Sequence, residues 1–225
     1  IKVFAISSVG SMNNMTQAAP VPAISRLDGA QLPHSRQSIE YFGFHCLPDA
    51  MSSETLEELA HEARCRRAEA KRAVSESADL PYSSRVAPLG PSAIHVLGNM
   101  ASAALLEPVF GRRFRYCPDA SCYTFFEVGD FLETHRDDAS NCEVTLLFYL
   151  SASPLRPDSQ VSGLNLSVYA DDGDAPGALL KTIATPQGAI MFGHGSRFWH
   201  RRHRLQEGEH IWMLTACFTS EALPD

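Results

Sequence analysis

The sequence has no long hydrophobic run and no excess of positive charge, and it contains only three lysines. No stretch approaches the ~18 consecutive apolar residues that a membrane-spanning helix needs. The net charge is −7 at pH 7, whereas proteins that follow the phosphates of nucleic acids usually carry a basic excess. Short basic clusters at 64–67 and 201–204 are interpreted as solvated surface or as the wall of a site. The sequence therefore predicts neither a membrane partner nor a nucleic acid partner.

The six cysteines include no Cys-x-x-Cys pair. In a chain long enough to bury a sizeable core, such scattered cysteines indicate reduced thiols, which are typical of the cytoplasm. Cys117 and Cys122 flank a short polar segment and could lie close to each other. We expect reduced cysteines and a cytoplasmic location, with a Cys117–Cys122 disulfide as the alternative.

The composition is that of an ordinary globular protein, with 44% hydrophobic and 20% charged residues. A chain of 225 residues has room for one sizeable core. Residues 1–37 show little periodicity; Gly10-Ser11-Met12 resembles a cloning scar and Met15 a native start. We therefore predict a flexible N-terminal arm at 1–37, partly vector-derived, and a single domain at 38–225.

Helical patterns come before the segments that carry the candidate site. After a first strand predicted at 39–47, Ser52 or Ser53 is a candidate cap for a helix that is expected to run to about Val74. Residues 75–90 are predicted to form a loop, and residues 92–107 have helical spacing. Two helices are therefore expected to pack on one face of a β-structure.

Strand patterns dominate the second half of the chain. An aromatic stretch begins at Tyr123, residues 144–150 form a β-branched and aromatic run bounded by polar residues, and residues 185–192 read as a turn entering a strand. Residues 208–218 form the closing strand pattern. The fold class predicted from this order is mainly β, within α+β.

A possible metal site lies between these strands. His135 and Asp137 are separated by one residue, and side chains at i and i+2 point to the same side of a strand. Chance alone gives ~0.5 His-x-Asp per chain of this composition, so the tripeptide needs a third ligand. His200 is the favoured third ligand, and His194 and His203 are the alternatives. Two imidazoles and one carboxylate are typical of non-heme Fe(II) sites with open coordination positions.

The surrounding residues resemble a known family. The family pattern is Gly-Asp-x-Leu-x-x-His-x-Asp, then a Tyr-Leu strand, a Gly-Gly-like turn and Pro-x-x-Gly before the distal histidine. Its counterparts here are, in order, Gly129-Asp130-Phe131-Leu132-Glu133-Thr134-His135-Arg136-Asp137, Tyr149-Leu150, Ser162-Gly163 and Pro186-Gln187-Gly188. Over about residues 40–218 the chain resembles the Fe(II)/2-oxoglutarate-dependent dioxygenase superfamily, especially its prolyl-4-hydroxylase-like branch. The resemblance implies a double-stranded β-helix core (jelly roll, cupin-like) with the N-terminal helices packed on one face.

The resemblance also implies where 2-oxoglutarate would bind. The family usually places Arg or Lys ten residues after the distal histidine, and that position here is His210. We therefore predict that His210 faces the barrel interior and bonds the distal carboxylate of 2-oxoglutarate. Arg202, Arg204 and Lys181 are rival cations, and Tyr123 is predicted to line the same pocket.

The function implied by the resemblance is that of an Fe(II)-, 2-oxoglutarate- and O2-dependent oxygenase. Asp137 occupies the place where halogenating relatives have a small residue, so hydroxylation, desaturation or cyclisation is expected. The substrate is expected to be a small or amino-acid-like molecule, selected by loops at 75–92, 151–162 and 170–178. The alternatives are an Fe(II)/O2 oxygenase of the same fold whose substrate chelates the metal without 2-oxoglutarate, and a non-catalytic β-helix binding module.

Overall fold

The computed structural model describes residues 31–76, 80–100, 105–154 and 162–221. The helices in these ranges are α1 (Gln31–Phe42), α2 (Ser53–Arg67), α3 (Pro91–Met100) and α4 (Glu107–Phe110). The strands are β1 (Phe44–Leu47), β2 (Lys71–Ser75), β3 (Tyr82–Ala87), β4 (Phe114–Phe126), β5 (Phe131–His135), β6 (Val144–Ala152), β7 (Asn165–Asp172), β8 (Ala175–Ala184), β9 (Ile190–Gly193), β10 (Trp199–Arg202) and β11 (Ile211–Ser220).

All eleven described strands belong to one antiparallel sheet. Its order is β1-β9-β6-β11-β4-β3-β5-β10-β7-β8, and β2 pairs with β3 beside this path. Neighbours such as β4 and β11, or β5 and β10, are distant in sequence, as in a jelly roll. The two halves of the sheet enclose a common interior, because one cavity is lined by residues of both β6 and β7. The predicted double-stranded β-helix is confirmed.

Alternation along the strands separates two apolar clusters. In β6, Leu146, Phe148 and Leu150 belong to a cluster shared with α2 and α3. Leu147 and Tyr149 belong to a second cluster inside the barrel. Successive residues of a strand point to opposite faces, so β6 is buried on both sides. The helices therefore cover one outer face of the barrel, as predicted.

The N-terminal elements differ from the prediction in three places. Residues 39–42 belong to α1, so the first strand is only β1, and the helical stretch starting at Gln31 includes residues assigned above to the arm. Helix α2 begins after the predicted cap Ser52, whose side chain accepts a hydrogen bond from the Thr55 N–H, but it ends at Arg67. Residues 71–75 and 82–87 form an antiparallel hairpin instead of the end of a helix and a loop. The rest of the predicted arm, residues 1–30, lies outside the described residues.

The hairpin was missed because its sequence carries no strict alternation of apolar and polar residues. Its β2 strand is KRAVS and its β3 strand is YSSRVA. These residues are held in strand form by pairing with β4 and β5, so tertiary context outweighs local propensity.

A disulfide joins Cys142 to Cys217 across 75 residues. The expectation that all cysteines are reduced is therefore wrong, and so is the alternative pair, because Cys117 and Cys122 are free. Pairing of Val144 with Phe218 in neighbouring strands β6 and β11 brings the two sulfurs together. The cytoplasmic location loses this support and stays a prediction. Within the described ranges no helix has the length and apolarity needed to cross a membrane.

Removing the disulfide should lower the free energy of unfolding. A cross-link restricts the unfolded chain most when it closes a long loop, and the typical contribution is about 2–4 kcal/mol. We expect Cys217→Ser, or reduction of the wild type, to lower the unfolding free energy by about that amount in urea titrations. Cys65→Ser, at an exposed free cysteine, is the matched control. Identical unfolding curves with and without a reductant would show that the bridge is not formed in solution.

Candidate metal centre and its cavity

Strand pairing brings the predicted metal ligands together. His200 of β10 lies directly opposite His135 of β5 in the antiparallel ladder. Their ring centroids are 4.2 Å apart. Asp137 follows β5 by two residues, and its N–H donates to the carbonyl of Gly195 at 2.9 Å. One ligand atom from each of the three side chains lies within 4.8 Å of the others. The structure thus assembles the predicted triad.

Backbone carbonyls fix the orientation of both imidazoles. Nδ1 of His135 lies 2.9 Å from the carbonyl of Glu133, and Nδ1 of His200 lies 3.0 Å from that of Phe198. A carbonyl only accepts, so each Nδ1 carries the hydrogen in the neutral ring and each Nε2 presents a lone pair. These Nε2 atoms face Oδ1 of Asp137 at 3.4 and 3.8 Å. Nε2 of His135 is buried without a hydrogen-bond partner among the described residues.

Burial keeps the ligands in the form that binds a cation. Burial and the neighbouring His135 ring lower the pKa of His200 to about 4, so this imidazole is neutral at pH 7. Burial opposes the charge of Asp137, but the two histidines and the Thr145 hydroxyl hold the pKa of this carboxyl below its ordinary range. Thr145 donates a hydrogen bond to Oδ2 of Asp137. The Nε2 lone pairs and the Asp137 carboxylate therefore point at one another. They repel each other unless a cation lies between them.

The donor set fits Fe(II). Two imidazoles and one carboxylate on one side of an ion leave further positions open, as in non-heme iron oxygenases. The hydrogen bonds to Nδ1 and to the carboxylate are outer contacts of the kind that orient metal ligands. Gly195 provides the space, because a Cβ at this position would lie 2.1 Å from Oδ2 of Asp137 and 2.5 Å from Oγ1 of Thr145.

A cavity of about 130 Å³ leads away from the triad. Its walls are mostly apolar and come from the strands of both halves of the barrel. The residues that line the cavity include Phe44, Ala73, Tyr82, Ser84, Val86, Phe131, Leu147, Leu166, Arg202 and Met213. Phe44 packs against the ring of His200, with centroids 5.1 Å apart.

Arg202 is the buried cation of this cavity, with 2% of its surface exposed. Its guanidinium donates to the carbonyl of Gly163 at 2.5 Å, to Oγ1 of Thr185 at 3.5 Å and to the hydroxyl of Tyr149 at 3.0 Å. All three partners are neutral, and none of the ion pairs found in the described ranges involves Arg202. Burial raises the pKa of Tyr149 to about 12, so its phenol stays protonated.

His210 does not lie in the cavity, contrary to the prediction. Its Nε2 contacts the hydroxyl of Ser151 at 2.9 Å and its Nδ1 the hydroxyl of Ser153 at 3.0 Å. Ile211 and Met213 of β11 belong to the interior cluster, so His210 and Trp212 fall on the opposite face by alternation. His210 lies ten residues after His200, as in the family pattern, but the strand presents the neighbouring Ile211 to the interior.

The other predicted pocket residues are also placed elsewhere. Tyr123 is buried on the helix side, where its hydroxyl donates to Glu62 of α2 at 2.6 Å; the cavity face of β4 carries Cys122, Thr124 and Phe126 instead. Arg204 donates a hydrogen bond to the carbonyl of Gly129 and lies over the Phe131 ring. It is not among the residues that line the cavity. Lys181 lies over the ring of Phe42, away from the cavity. Of the predicted cations only Arg202 enters the cavity.

The alternative third ligands are outside the triad. Burial, followed by Arg197 and Arg112, lowers the pKa of His194 to about 4. The ring of His194 packs edge-on against Phe110 at 4.7 Å. His203 contacts the hydroxyl of Ser167 at 3.1 Å. Neither belongs to the group of ligand atoms around Asp137.

Three contributors to the site were missed from the sequence: Thr145, Tyr149 and Gly195. Thr145 and Tyr149 lie on the interior face of β6, together with Leu147. Alternation along the predicted strand at 144–150 could have grouped them. Gly195 carried no local signal, because its role depends on Asp137, which is distant in sequence.

The fold is similar to those of known oxygenases, although no protein-family model and no curated protein matches this chain. A prolyl-4-hydroxylase from Pseudomonas putida is 17% identical over 85% of this chain and 100% of its own, with a TM-score of 0.60. The α-ketoglutarate-dependent epimerase SnoN from nogalamycin biosynthesis is 17% identical over 85% of this chain and 82% of its own, with a TM-score of 0.67.

A third similar structure is HygX from Streptomyces hygroscopicus, determined with nickel, 2-oxoglutarate and hygromycin B bound. It is 12% identical over 83% of this chain and 86% of its own, with a TM-score of 0.58. Likeness at these identities establishes the fold. The chain therefore has the double-stranded β-helix fold that these oxygenases share.

Proposed function

We propose that this protein is an Fe(II)- and 2-oxoglutarate-dependent oxygenase that acts on a small molecule. One observation supports the proposal above the others: a single buried cavity contains both the triad and an arginine that has no anionic partner among the described residues. An unpaired buried charge is costly to keep. The cavity thus presents the complement of a divalent cation at one end and of a carboxylate at the other.

Arg202 is proposed to bind the distal carboxylate of 2-oxoglutarate. It lies two residues after His200 on the same strand, so the two Cα atoms are about 6–7 Å apart and the side chains share a face. That separation is on the scale of an extended five-carbon diacid. The planar guanidinium offers N–H groups that match both oxygens of a carboxylate.

Bound Fe(II) with 2-oxoglutarate supplies oxidising power from O2, with succinate and CO2 as co-products. The protein's own residues hold and shield these groups. His135, Asp137 and His200 bind one side of the ion, while Leu147, Leu166 and Met213 line the cavity and exclude water. Because Asp137 completes the triad, we propose hydroxylation as the reaction, with desaturation or cyclisation as the alternatives that product masses would reveal.

Metal binding should depend on His200 and on the space beside Gly195. We expect His200→Ala to weaken Fe(II) binding by more than ~100-fold, since it removes one of three ligands. Gly195→Ala should weaken binding by roughly 10- to 100-fold, because its Cβ would displace the Asp137 carboxylate. Affinity is measured anaerobically by calorimetry.

Two matched substitutions control this experiment. His194→Ala removes the alternative histidine, and Gly98→Ala adds a Cβ at an exposed helical glycine with no heavy atom within 4 Å. Both should keep wild-type affinity. Full metal binding by His200→Ala, with loss in His194→Ala, would contradict the ligand assignment.

Affinity for 2-oxoglutarate should depend on Arg202 and not on His210. A hydrogen bond to a charged group contributes about 1.5–3 kcal/mol, so we expect Arg202→Met to weaken binding roughly 10- to 150-fold in Mn(II)-loaded protein. His210→Ala should leave the affinity unchanged. Arginine stays protonated, so the wild-type affinity at full metal occupancy should be constant from pH 6.5 to 8.5.

The opposite pattern would identify a histidine anchor. A protonated imidazole raised in pKa by the bound diacid strengthens binding at low pH and loses that contribution as pH rises through the raised value. Affinity that falls steadily across this range, together with loss in His210→Ala, would assign the site to His210. Circular dichroism and thermal unfolding confirm that each variant is folded.

A further inference from the structure

We propose that the substrate is an uncharged, predominantly apolar ring compound bound against the β2–β3 hairpin. This inference rests on the proposed function and adds to it the chemical class of the substrate. The hairpin contributes Ala73, Tyr82, Ser84 and Val86 to the same cavity as the triad. These residues share one face of the hairpin. Ala73 pairs with Ser84, and Tyr82 and Val86 lie two residues before and after Ser84 on the same strand.

The described residues of the cavity leave no charged side chain for a substrate. Among its described lining residues, Asp137 and Arg202 are the charged side chains. Asp137 belongs to the metal site and Arg202 to the proposed 2-oxoglutarate site. A carboxylate, phosphate or ammonium group placed here would lose its hydration without gaining an opposite charge. An amino-acid-like substrate, with two such groups, is therefore disfavoured.

The two arginines of the hairpin turn away from the cavity. Arg72 and Arg85 are paired across the two strands on the opposite face. Arg72 forms an ion pair with the fully buried Asp130 at 2.7 Å, and Asp130 also accepts from the Ser83 hydroxyl at 2.6 Å. These contacts tie the outer face of the hairpin to the segment before β5, and the inner-face residues that line the cavity are uncharged.

Lys71 differs in position from the two arginines of the hairpin. Lys71 pairs with Val86 and so lies on the inner side of the hairpin, but it is exposed and is not among the residues that line the cavity. Among the described residues of the hairpin, Lys71 is the cation on the inner side, so it is the one that could recognise a substrate carboxylate.

Aromatic rings give the cavity a preference for flat ring systems. Phe44, Tyr82, Phe126 and Phe131 all line it, and rings stack or pack edge-to-face at such walls. The hydroxyl groups of Tyr82 and Ser84 add hydrogen bonding for a hydroxyl or carbonyl group. Few polar groups in an apolar pocket are typical of sites that orient a small neutral ligand.

The experiment uses three probes that share one ring: 2-naphthylmethanol, 2-naphthoate and 2-naphthylmethylamine. Binding is measured by naphthyl fluorescence anisotropy at pH 7.5, with the full chain first saturated with Zn(II) and 2-oxoglutarate so that Arg202 is occupied. We expect the uncharged alcohol to bind at least ~10-fold more tightly than either charged probe. Equal or tighter binding of the carboxylate or the amine would overturn the proposal, and loss of carboxylate binding in Lys71→Ala would identify the residue responsible.

Substitutions on the two faces of β3 test the location. Val86→Asp places a charge on the cavity face. It should weaken binding of the alcohol at least ~10-fold and strengthen binding of the amine. Arg85→Asp places the same charge on the outer face and should leave the affinity for both probes unchanged. If Val86→Asp does not fold, Ala73→Asp replaces it.

The remaining outcomes also decide the question. No change in Val86→Asp or Ala73→Asp would overturn the assignment to the hairpin. Absence of binding by all three probes to protein that does bind Zn(II) and 2-oxoglutarate would overturn the substrate class and leave the proposed function standing. Failure to bind 2-oxoglutarate at the outset would contradict the proposed function itself.

Discussion

The antiparallel pairing of β5 with β10 is the constraint on which the site depends. It sets His200 opposite His135 and so brings together two ligands that are distant in sequence. Side chains alternate along a strand, and a slip of one residue would move His200 to the outer face and Arg202 with it. The pairing of β10 with β7 is regular from Trp199 to Arg202, although the β5–β10 register shifts between His200 and Arg202. The metal ligand and the cation proposed for 2-oxoglutarate therefore stay on one face of β10. Burial of β7 residues on the other side of β10 makes such a slip costly.

Electrostatic complementarity links the two ends of the cavity. The neutral imidazole of His200, the ring of His135 and an ionised carboxylate converge at one end, and a buried guanidinium with only neutral partners lies at the other. Each group is unfavourable by itself in an apolar interior. A divalent cation and a diacid satisfy both together, so the arrangement that is costly in the free protein is pre-organised for binding.

The triad could be predicted because its information is mostly local. The His-x-Asp spacing, the Gly-Asp turn before it and the strand pattern around it all occur within a few residues. Strands β6 and β11, and the part of β4 from Tyr123 onward, were predicted for the same reason, because their sequences are rich in aromatic, aliphatic and β-branched residues. Strand β9 was predicted from the turn that precedes it. The β2–β3 hairpin has no such pattern and depends on its neighbours in the sheet.

The errors concern which face a residue occupies and which distant residues meet. The predicted cofactor residues Tyr123 and His210 both lie one position away from residues that face the interior. A count along the sequence cannot detect such a shift in phase. The Cys142–Cys217 bridge likewise depends on the pairing of β6 with β11 across 75 residues, which no spacing of cysteines reveals.

The central claim is that one cavity holds Fe(II) and 2-oxoglutarate together, with the diacid chelating the metal. Anaerobic addition of 2-oxoglutarate to the Fe(II)-loaded protein tests it directly, because chelation by the keto acid produces a visible metal-to-ligand charge-transfer band. We expect a band that saturates at one equivalent of 2-oxoglutarate and is absent when succinate replaces it. Protein that binds one Fe(II) but develops no band with 2-oxoglutarate would show that the two do not share this cavity.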